Sequence, residues 1–171
     1  MRSKFAIAGH PLHPMLIALP IGLFTWAVVC DVVYLATDRE KLWYDMAFWA
    51  GIGGVITGLI AALPGVGDLL TMAKETDARD IAIVHGVTNV VVVGLFFVAM
   101  LLMLDDGATS GAALSVVFVL HLVGLGLLGF AGWLGGEMVY RHHLGMEPDD
   151  GELERAESAR HSMRPARATR R

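Results

Sequence analysis

Residues 81–104 read IAIVHGVTNVVVVGLFFVAMLLML, and this stretch decides the fold class. It contains no Asp, Glu, Lys or Arg, and it exceeds the length of about 20 residues that a helix needs to cross a bilayer. Its apolar residues lie all round a helix and do not alternate with polar residues as they do in a barrel strand. The stretch therefore predicts a transmembrane helix.

Three more stretches have the same character, and they span about 15–36, 44–63 and 112–138. Together with the helix at 81–104 they predict an all-α fold. The predicted architecture is a transmembrane four-helix bundle that runs up, down, up and down within residues 1–146.

The breaks between these stretches have their own residue types. Proline and glycine at 64–68 predict the end of the second helix, and two aspartates and a glycine at 105–107 predict the end of the third. Residues 147–171 are polar and lack aromatic side chains, so they predict a disordered cytoplasmic tail.

Composition narrows the class of protein. Of the 171 residues, 55 % are hydrophobic and 18 % are charged, and a typical soluble protein has about 25 % charged residues. The formal net charge is -4, and the chain has one cysteine. These values exclude a secreted disulfide scaffold, a disordered protein and a nucleic-acid binder that depends on positive charge. Membrane lipids are the expected partner, and nucleic acid is not.

Lysine and arginine counts predict the orientation in the membrane. The N-terminus, the connection at 64–80 and the C-terminal tail carry most of these residues, whereas the connection at 37–41 carries only Arg39 and Lys41. By the positive-inside rule, both termini are expected in the cytoplasm, in a multi-pass protein of the inner (plasma) membrane.

Histidines from three helix ends are expected at one level, the cytoplasmic end of the bundle. Imidazole is the commonest side-chain ligand of transition metals and of haem iron. The candidate haem ligands are His13, His85 and His142. The candidate metal ligands are His10, His13, His85, Asp68 and Glu137. Asn89 and Arg141 are expected to support this layer. The expected cofactor is haem b or a transition metal, and the alternative is that these histidines only cap helix ends.

A second polar layer is expected nearer the other face of the membrane. Asp31 and His121 fall at about the same depth when the rise of about 1.5 Å per residue is counted along their helices. Their helices are expected to be neighbours, so the two side chains are expected to pair. Such a pair offsets the cost of burying each partner, and it either carries a proton or holds two helices together.

Glycines four residues apart, Gly54 with Gly58 and Gly132 with Gly136, predict close contacts between helices. These contacts serve either the packing of the bundle or a homo-oligomer. The chain has no nucleophile elbow, phosphate loop or His-Glu-x-x-His motif, so we expect no independent enzymatic activity.

Two motifs resemble those of an uncharacterised bacterial family of four-span integral membrane proteins. The first is His10-Pro11-Leu12-His13-Pro14, followed by Leu19-Pro20-Ile21-Gly22, and the second is the stretch GWLGGEMVYRH at 132–142. His85 also lies where the third span of that family has a histidine. The resemblance covers about 8–146 and implies no assigned activity. The resemblance favours an electron-transfer setting, because some members of that family are joined to or found beside Rieske-type iron–sulfur domains.

Three functions are consistent with these features of the sequence. The first is a haem- or metal-binding module associated with redox chemistry, with a Rieske-type or other redox protein as its partner. The second is a non-enzymatic accessory subunit or scaffold of a membrane complex. The third is a small proton-coupled transporter that uses Asp31 and His121.

Overall fold

The structure, a computed structural model, describes residues 3–104 and 111–145, together with Gly151, Arg155 and Ser158. The described part is all-α apart from one short hairpin. The strands are β1 (Ala6–Ile7) and β2 (His10–Pro11). The helices are α1 (Leu12–Leu16), α2 (Ala18–Ala36), α3 (Lys41–Thr71), α4 (Asp77–Met103) and α5 (Gly111–Tyr140).

Four helical segments are long and apolar enough to cross a membrane, which confirms the predicted fold class. Helices α1 and α2 together form the first segment, and α3, α4 and α5 form the others. Many large apolar side chains lie exposed on the outside of the bundle, as expected for side chains that face lipid. The predicted helix stop at 105–107 and most of the tail at 147–171 lie outside the described residues.

The predicted end of the second helix at 64–68 is wrong, because α3 continues through Pro64 to Thr71. Pro64 lacks the N–H that would bond to the carbonyl of Ile60, which normally breaks a helix. Inside a membrane bundle, neighbouring side chains can bond to the backbone groups around a proline. Here His13 donates a hydrogen bond to the carbonyl of Ala61, in the turn that Pro64 perturbs.

The first membrane segment is interrupted at Ile17, between α1 and α2. Pro20, which is buried, has no N–H to offer the carbonyl of Leu16, so the helix is broken one turn before the proline. The amide of Ile17 still bonds to the carbonyl of His13, and the amide of Ile21 to that of Ile17. The two helices therefore form one membrane segment, which begins three residues earlier than the predicted start at 15.

The four segments form two hairpins that pack against each other. Helix α2 packs along α3, and α4 packs along α5. The two hairpins meet where α3 contacts α4 and where α2 contacts α5. Helices α2 and α4 therefore lie diagonally across the bundle from each other.

The two hairpins repeat each other in sequence. The pattern His, eight residues, Gly-Leu-Phe, two residues, Ala occurs at 13–27 and again at 85–99. Equivalent positions in these two helices are 72 residues apart. In the second helix of each hairpin, Gly54, Ala61 and Gly65 recur 70 residues later as Gly124, Ala131 and Gly135. We name residues 12–71 the first half and residues 77–140 the second half.

The two halves also repeat each other in packing. The ring of Phe24 lies against Gly54, where a Cβ would come within 2.5 Å of the ring. The ring of Phe96 lies against Gly124, where a Cβ would come within 2.6 Å. The two phenyl rings stack on each other across the bundle, with centroids 4.0 Å apart. The bundle thus has an approximate two-fold axis between the two rings.

The residues before α1 form a hairpin that closes one end of the bundle. Ala8 and Gly9 join β1 to β2 with positive φ, as a two-residue type I′ turn requires. Asp68 of α3 holds the start of this segment, because it accepts hydrogen bonds from Ser3 Oγ (2.6 Å) and from the amide of Lys4 (3.1 Å).

Two glycines one turn apart on α3 give a matched test of this packing. Gly51 is buried, yet a Cβ placed there would meet no atom within 4 Å. We expect Gly51→Ala to raise the free energy of unfolding by about 1 kcal/mol, because alanine favours a helix. We expect Gly54→Ala to lower it by about 1–3 kcal/mol, because the methyl group overlaps Phe24. Thermal unfolding in detergent measures both, and equal effects would contradict the packing described here.

Candidate functional site

Two of the predicted ligands, His13 and His85, meet at one end of the bundle. Their ring centroids are 6.1 Å apart and their ring planes are nearly perpendicular, at 85°. Both side chains are half-buried. They come from the diagonal helices α1 and α4, and they occupy equivalent positions of the two halves. We call these two side chains the histidine pair.

Each histidine of the pair is held by a backbone carbonyl of the neighbouring helix. His13 Nδ1 lies 2.8 Å from the carbonyl oxygen of Ala61, and His85 Nδ1 lies 2.9 Å from that of Ala131. A carbonyl oxygen only accepts hydrogen bonds, so Nδ1 carries the hydrogen in both rings. The neutral form of each ring then has its lone pair on Nε2.

A glycine lies beside each ring, and at Gly65 the space is required for the ring of His13. Gly65 lies four residues after Ala61, and a Cβ there would come within 2.9 Å of His13 Nδ1. Gly135 lies four residues after Ala131, and a Cβ there would come within 3.6 Å of the His85 ring. The same arrangement of alanine carbonyl and glycine therefore supports both members of the histidine pair.

Asn89 makes the two histidines inequivalent. Its Nδ2 atom donates to His85 Nε2 (3.1 Å) and to the carbonyl of His85 (2.9 Å). The equivalent residue in the first half is Ile17, which has no polar side chain. The Nε2 atom of His85 therefore has a hydrogen-bond donor beside it that the first half does not supply to His13.

The other predicted ligands lie elsewhere at the same end. His10 is exposed on β2 and bonds to the carbonyl of Ala8, so it faces away from the bundle. Asp68 binds Ser3 and Lys4, as described above. Glu137 forms an ion pair with Arg141, at 2.6 Å. His142 lies two residues beyond the end of α5.

The larger metal site expected from the sequence is therefore not assembled. Among the described residues, no group of three or more His, Cys, Asp or Glu side chains lies close enough to hold one metal ion. Asp68 and Glu137 have other partners, because Asp68 accepts hydrogen bonds from Ser3 and Lys4 of the N-terminal segment and Glu137 pairs with Arg141. The histidine pair is what the structure brings together.

Asp31 and His121 lie together near the far end of the bundle, on α2 and α5. His121 Nδ1 and Asp31 Oδ2 are 2.6 Å apart, and both residues are buried, with exposed fractions of 1 % and 5 %. Asp31 lies 18 residues after His13, or about 27 Å along the helix. The pair is therefore a second polar layer, separate from the histidine pair.

An aromatic stack separates the two polar layers. The His121 ring stacks on Phe96, with centroids 4.6 Å apart, and Phe96 in turn stacks on Phe24. Phe24 and Phe96 are fully buried and pack with Val92 and Ala27 in an apolar cluster. The centre of the bundle is thus filled by apolar side chains rather than by a polar path.

Comparison with known proteins shows the family of this chain. A family model described as Predicted membrane protein (DUF2231) matches residues 9–148. The chain belongs to the DUF2231 family. The match covers the four membrane segments, the histidine pair and the Asp31–His121 pair, so both layers lie within the DUF2231 region. The family and the four apolar helices together indicate a multi-pass membrane protein. No curated protein and no solved structure matches the chain.

Sequence reasoning did not find the groups that hold the DUF2231 histidine pair. The carbonyls of Ala61 and Ala131 cannot be recognised from residue type, because every residue has a carbonyl. A signal was nevertheless present, since the pattern Gly-Leu-Phe, two residues, Ala occurs twice at a spacing of 72 residues. That repeat aligns His13 with His85 without any structure.

Removal of one partner of the Asp31–His121 pair is expected to destabilise the protein strongly. Asp31→Leu or His121→Leu alone should lower the free energy of unfolding by about 3–5 kcal/mol, because the remaining polar group is buried without its partner. The double variant should recover most of that loss, since no unpaired polar group remains. Thermal unfolding of the three variants in detergent measures this, and additive losses would contradict it.

Proposed function

We propose that this DUF2231 protein is a membrane-embedded metal-binding module whose metal centre is bound between His13 and His85. The observation that carries the proposal is the duplicated support of the two rings. In each half, an imidazole Nδ1–H is held by an alanine carbonyl over a glycine. Metal-binding histidines commonly donate one ring N–H to a carbonyl, which orients the other nitrogen as the ligand.

The spacing of the two rings supports this proposal. His13 and His85 would hold the metal through their Nε2 atoms, and metal–imidazole bonds of about 2 Å require the two rings to lie within a few ångströms of one ion. The two ring centroids are 6.1 Å apart, so both imidazoles lie close enough to share one ion. The shared chemistry is a metal that accepts two imidazole nitrogens, either as a transition-metal ion or as the iron of haem b.

Such a centre supplies one-electron chemistry when bound. The protein's own contribution is to hold the two rings in place and to exclude water with the buried Phe24–Phe96 stack on one side. On the other side, the N-terminal hairpin closes the end of the bundle, with Pro11 near Gly145. A Rieske-type or other redox protein as the electron partner belongs to the proposal, and so does the cytoplasmic location of this end.

The alternative functions have less support from the contacts. A proton-coupled transporter needs access to its site from both sides, whereas the apolar cluster of Phe24, Phe96 and Val92 separates the two polar layers. If the histidine pair binds no metal, His13 and His85 act only as contacts between helices, and a scaffold subunit becomes the function that fits the structure.

Purification from the native membrane tests the metal centre. We expect either a Soret absorbance band, which identifies haem, or a transition metal near one equivalent by elemental analysis. His13→Ala and His85→Ala should each reduce the bound metal by at least about tenfold, because a single imidazole binds weakly. His10→Ala is the matched control and should retain the metal, since His10 faces away from the pair. Folded, colourless and metal-free protein would contradict the proposal.

A separate prediction concerns Asn89. Asn89→Ile copies the residue of the first half, Ile17, and removes the donor beside His85 Nε2. We expect this variant to bind added Zn²⁺ or Ni²⁺ about tenfold more tightly, because the metal no longer displaces a hydrogen bond. Ile17→Leu, at the equivalent position, is the control and should leave the dissociation constant unchanged. Isothermal titration calorimetry in detergent measures both, and weaker binding by Asn89→Ile would show that Asn89 instead supports the ligand.

A further inference from the structure

The Asp31–His121 pair is the place where the two halves of the bundle differ in charge. The residue of the second half equivalent to Asp31 is Met103, and the residue of the first half equivalent to His121 is Gly51. Met103 and Gly51 are both buried. The interface of α2 with α5 thus contains an acid and a base, whereas the equivalent interface of α4 with α3 contains neither at these positions.

Because the two halves are similar, each half has two possible partners: the other half of its own chain, or the same half of a second chain. Across the two-fold axis, Phe24 contacts Phe96 and His13 contacts His85. Each of these contacts joins two residues of the same type. Two first halves from separate chains can therefore make the same ring contacts, and so can two second halves. The contacts on the axis do not distinguish these homotypic pairings from the pairing within one chain.

The Asp31–His121 pair does distinguish them. In a pairing of two first halves, each Asp31 would face the Gly51 position, where no side chain offers a hydrogen bond. In a pairing of two second halves, each His121 would face Met103, which has no carboxylate. A buried carboxylate without a partner is costly in protein or membrane interiors. The pairing of a first half with a second half is the one that joins acid and base at 2.6 Å.

We propose that the Asp31–His121 pair selects the assembly of the first half with the second half and excludes homotypic assembly between two copies of the chain. Buried polar residues set partner choice in coiled coils by the same physical means, since a wrong partner leaves the polar group unpaired. The proposal does not depend on metal binding at the histidine pair.

Site-directed cross-linking tests the proposal in the full-length chain. Cys30→Ser removes the only cysteine of the chain. His13→Cys then places one thiol on the first half, next to the two-fold axis. A short bifunctional thiol reagent joins two chains through this position when two first halves pair. As a positive control, a chain with both His13→Cys and His85→Cys should give a cross-link within one chain, which calibrates the length of the reagent.

We expect little cross-linking between chains when Asp31 and His121 are intact. The double substitution Asp31→Met and His121→Gly copies the residues of the equivalent interface between α4 and α3, which are Met103 and Gly51. It therefore removes the difference between the two interfaces. The yield of cross-linking between chains should then rise clearly above that of the chain with Asp31 and His121 intact, because homotypic pairing no longer leaves a buried polar group without a partner. The exchanged pair, Asp31→His with His121→Asp, retains acid and base and should remain uncross-linked. Asp31→Asn, which keeps the shape of the side chain, should give an intermediate yield.

Several results would overturn the proposal. One is an equal cross-linking yield with and without the double substitution. Another is extensive cross-linking in the chain that retains Asp31 and His121. If the double variant is not recovered from the membrane, Asp31→Asn tests the proposal instead, because it only replaces one carboxylate oxygen of Asp31 by an NH2 group. In that case, an absence of cross-linking in Asp31→Asn overturns the proposal.

Discussion

The structure depends on the stacking of Phe24 on Phe96 across the centre of the bundle. In lipid, apolar helices gain little from hiding apolar surface, so close packing of atoms is what holds them together. Two phenyl rings can meet at 4.0 Å only because Gly54 and Gly124 leave space beside them on the adjacent helices. The glycines are therefore part of the aromatic contact, and each of them would become a clash with one added carbon.

The histidine pair has the same kind of contact nearer the end of the bundle, a ring of one helix packed beside a glycine of the next. Each ring lies over a glycine and bonds to a carbonyl of the neighbouring helix, so a polar group replaces the apolar ring contact. The bonded carbonyl of Ala61 also lies in the turn that contains Pro64, next to the carbonyl of Ile60 that the proline leaves without an amide partner. The same side chain thus joins two helices, satisfies a backbone group and holds an orientation suited to a ligand.

Symmetry and its exceptions divide the bundle into parts with different roles. Phe24 with Phe96 and His13 with His85 follow the approximate two-fold axis. Asn89 and the Asp31–His121 pair do not, because their equivalents are Ile17, Met103 and Gly51. Symmetric contacts build a bundle from two similar hairpins, whereas the asymmetric polar residues make the two hairpins different from each other.

The number of membrane segments, the all-α fold and the family followed from the sequence, because each apolar stretch is long enough on its own to signal a helix. The depth of Asp31 and His121 was also predictable, since the rise per residue is constant along a helix. Only the tertiary structure decided which polar groups meet. Packing between segments sets the rotation of each helix about its axis, and it brings Asp68 to Ser3 and Lys4. Those contacts reduced the expected histidine layer to His13 and His85, and they assigned the carbonyls that hold both rings.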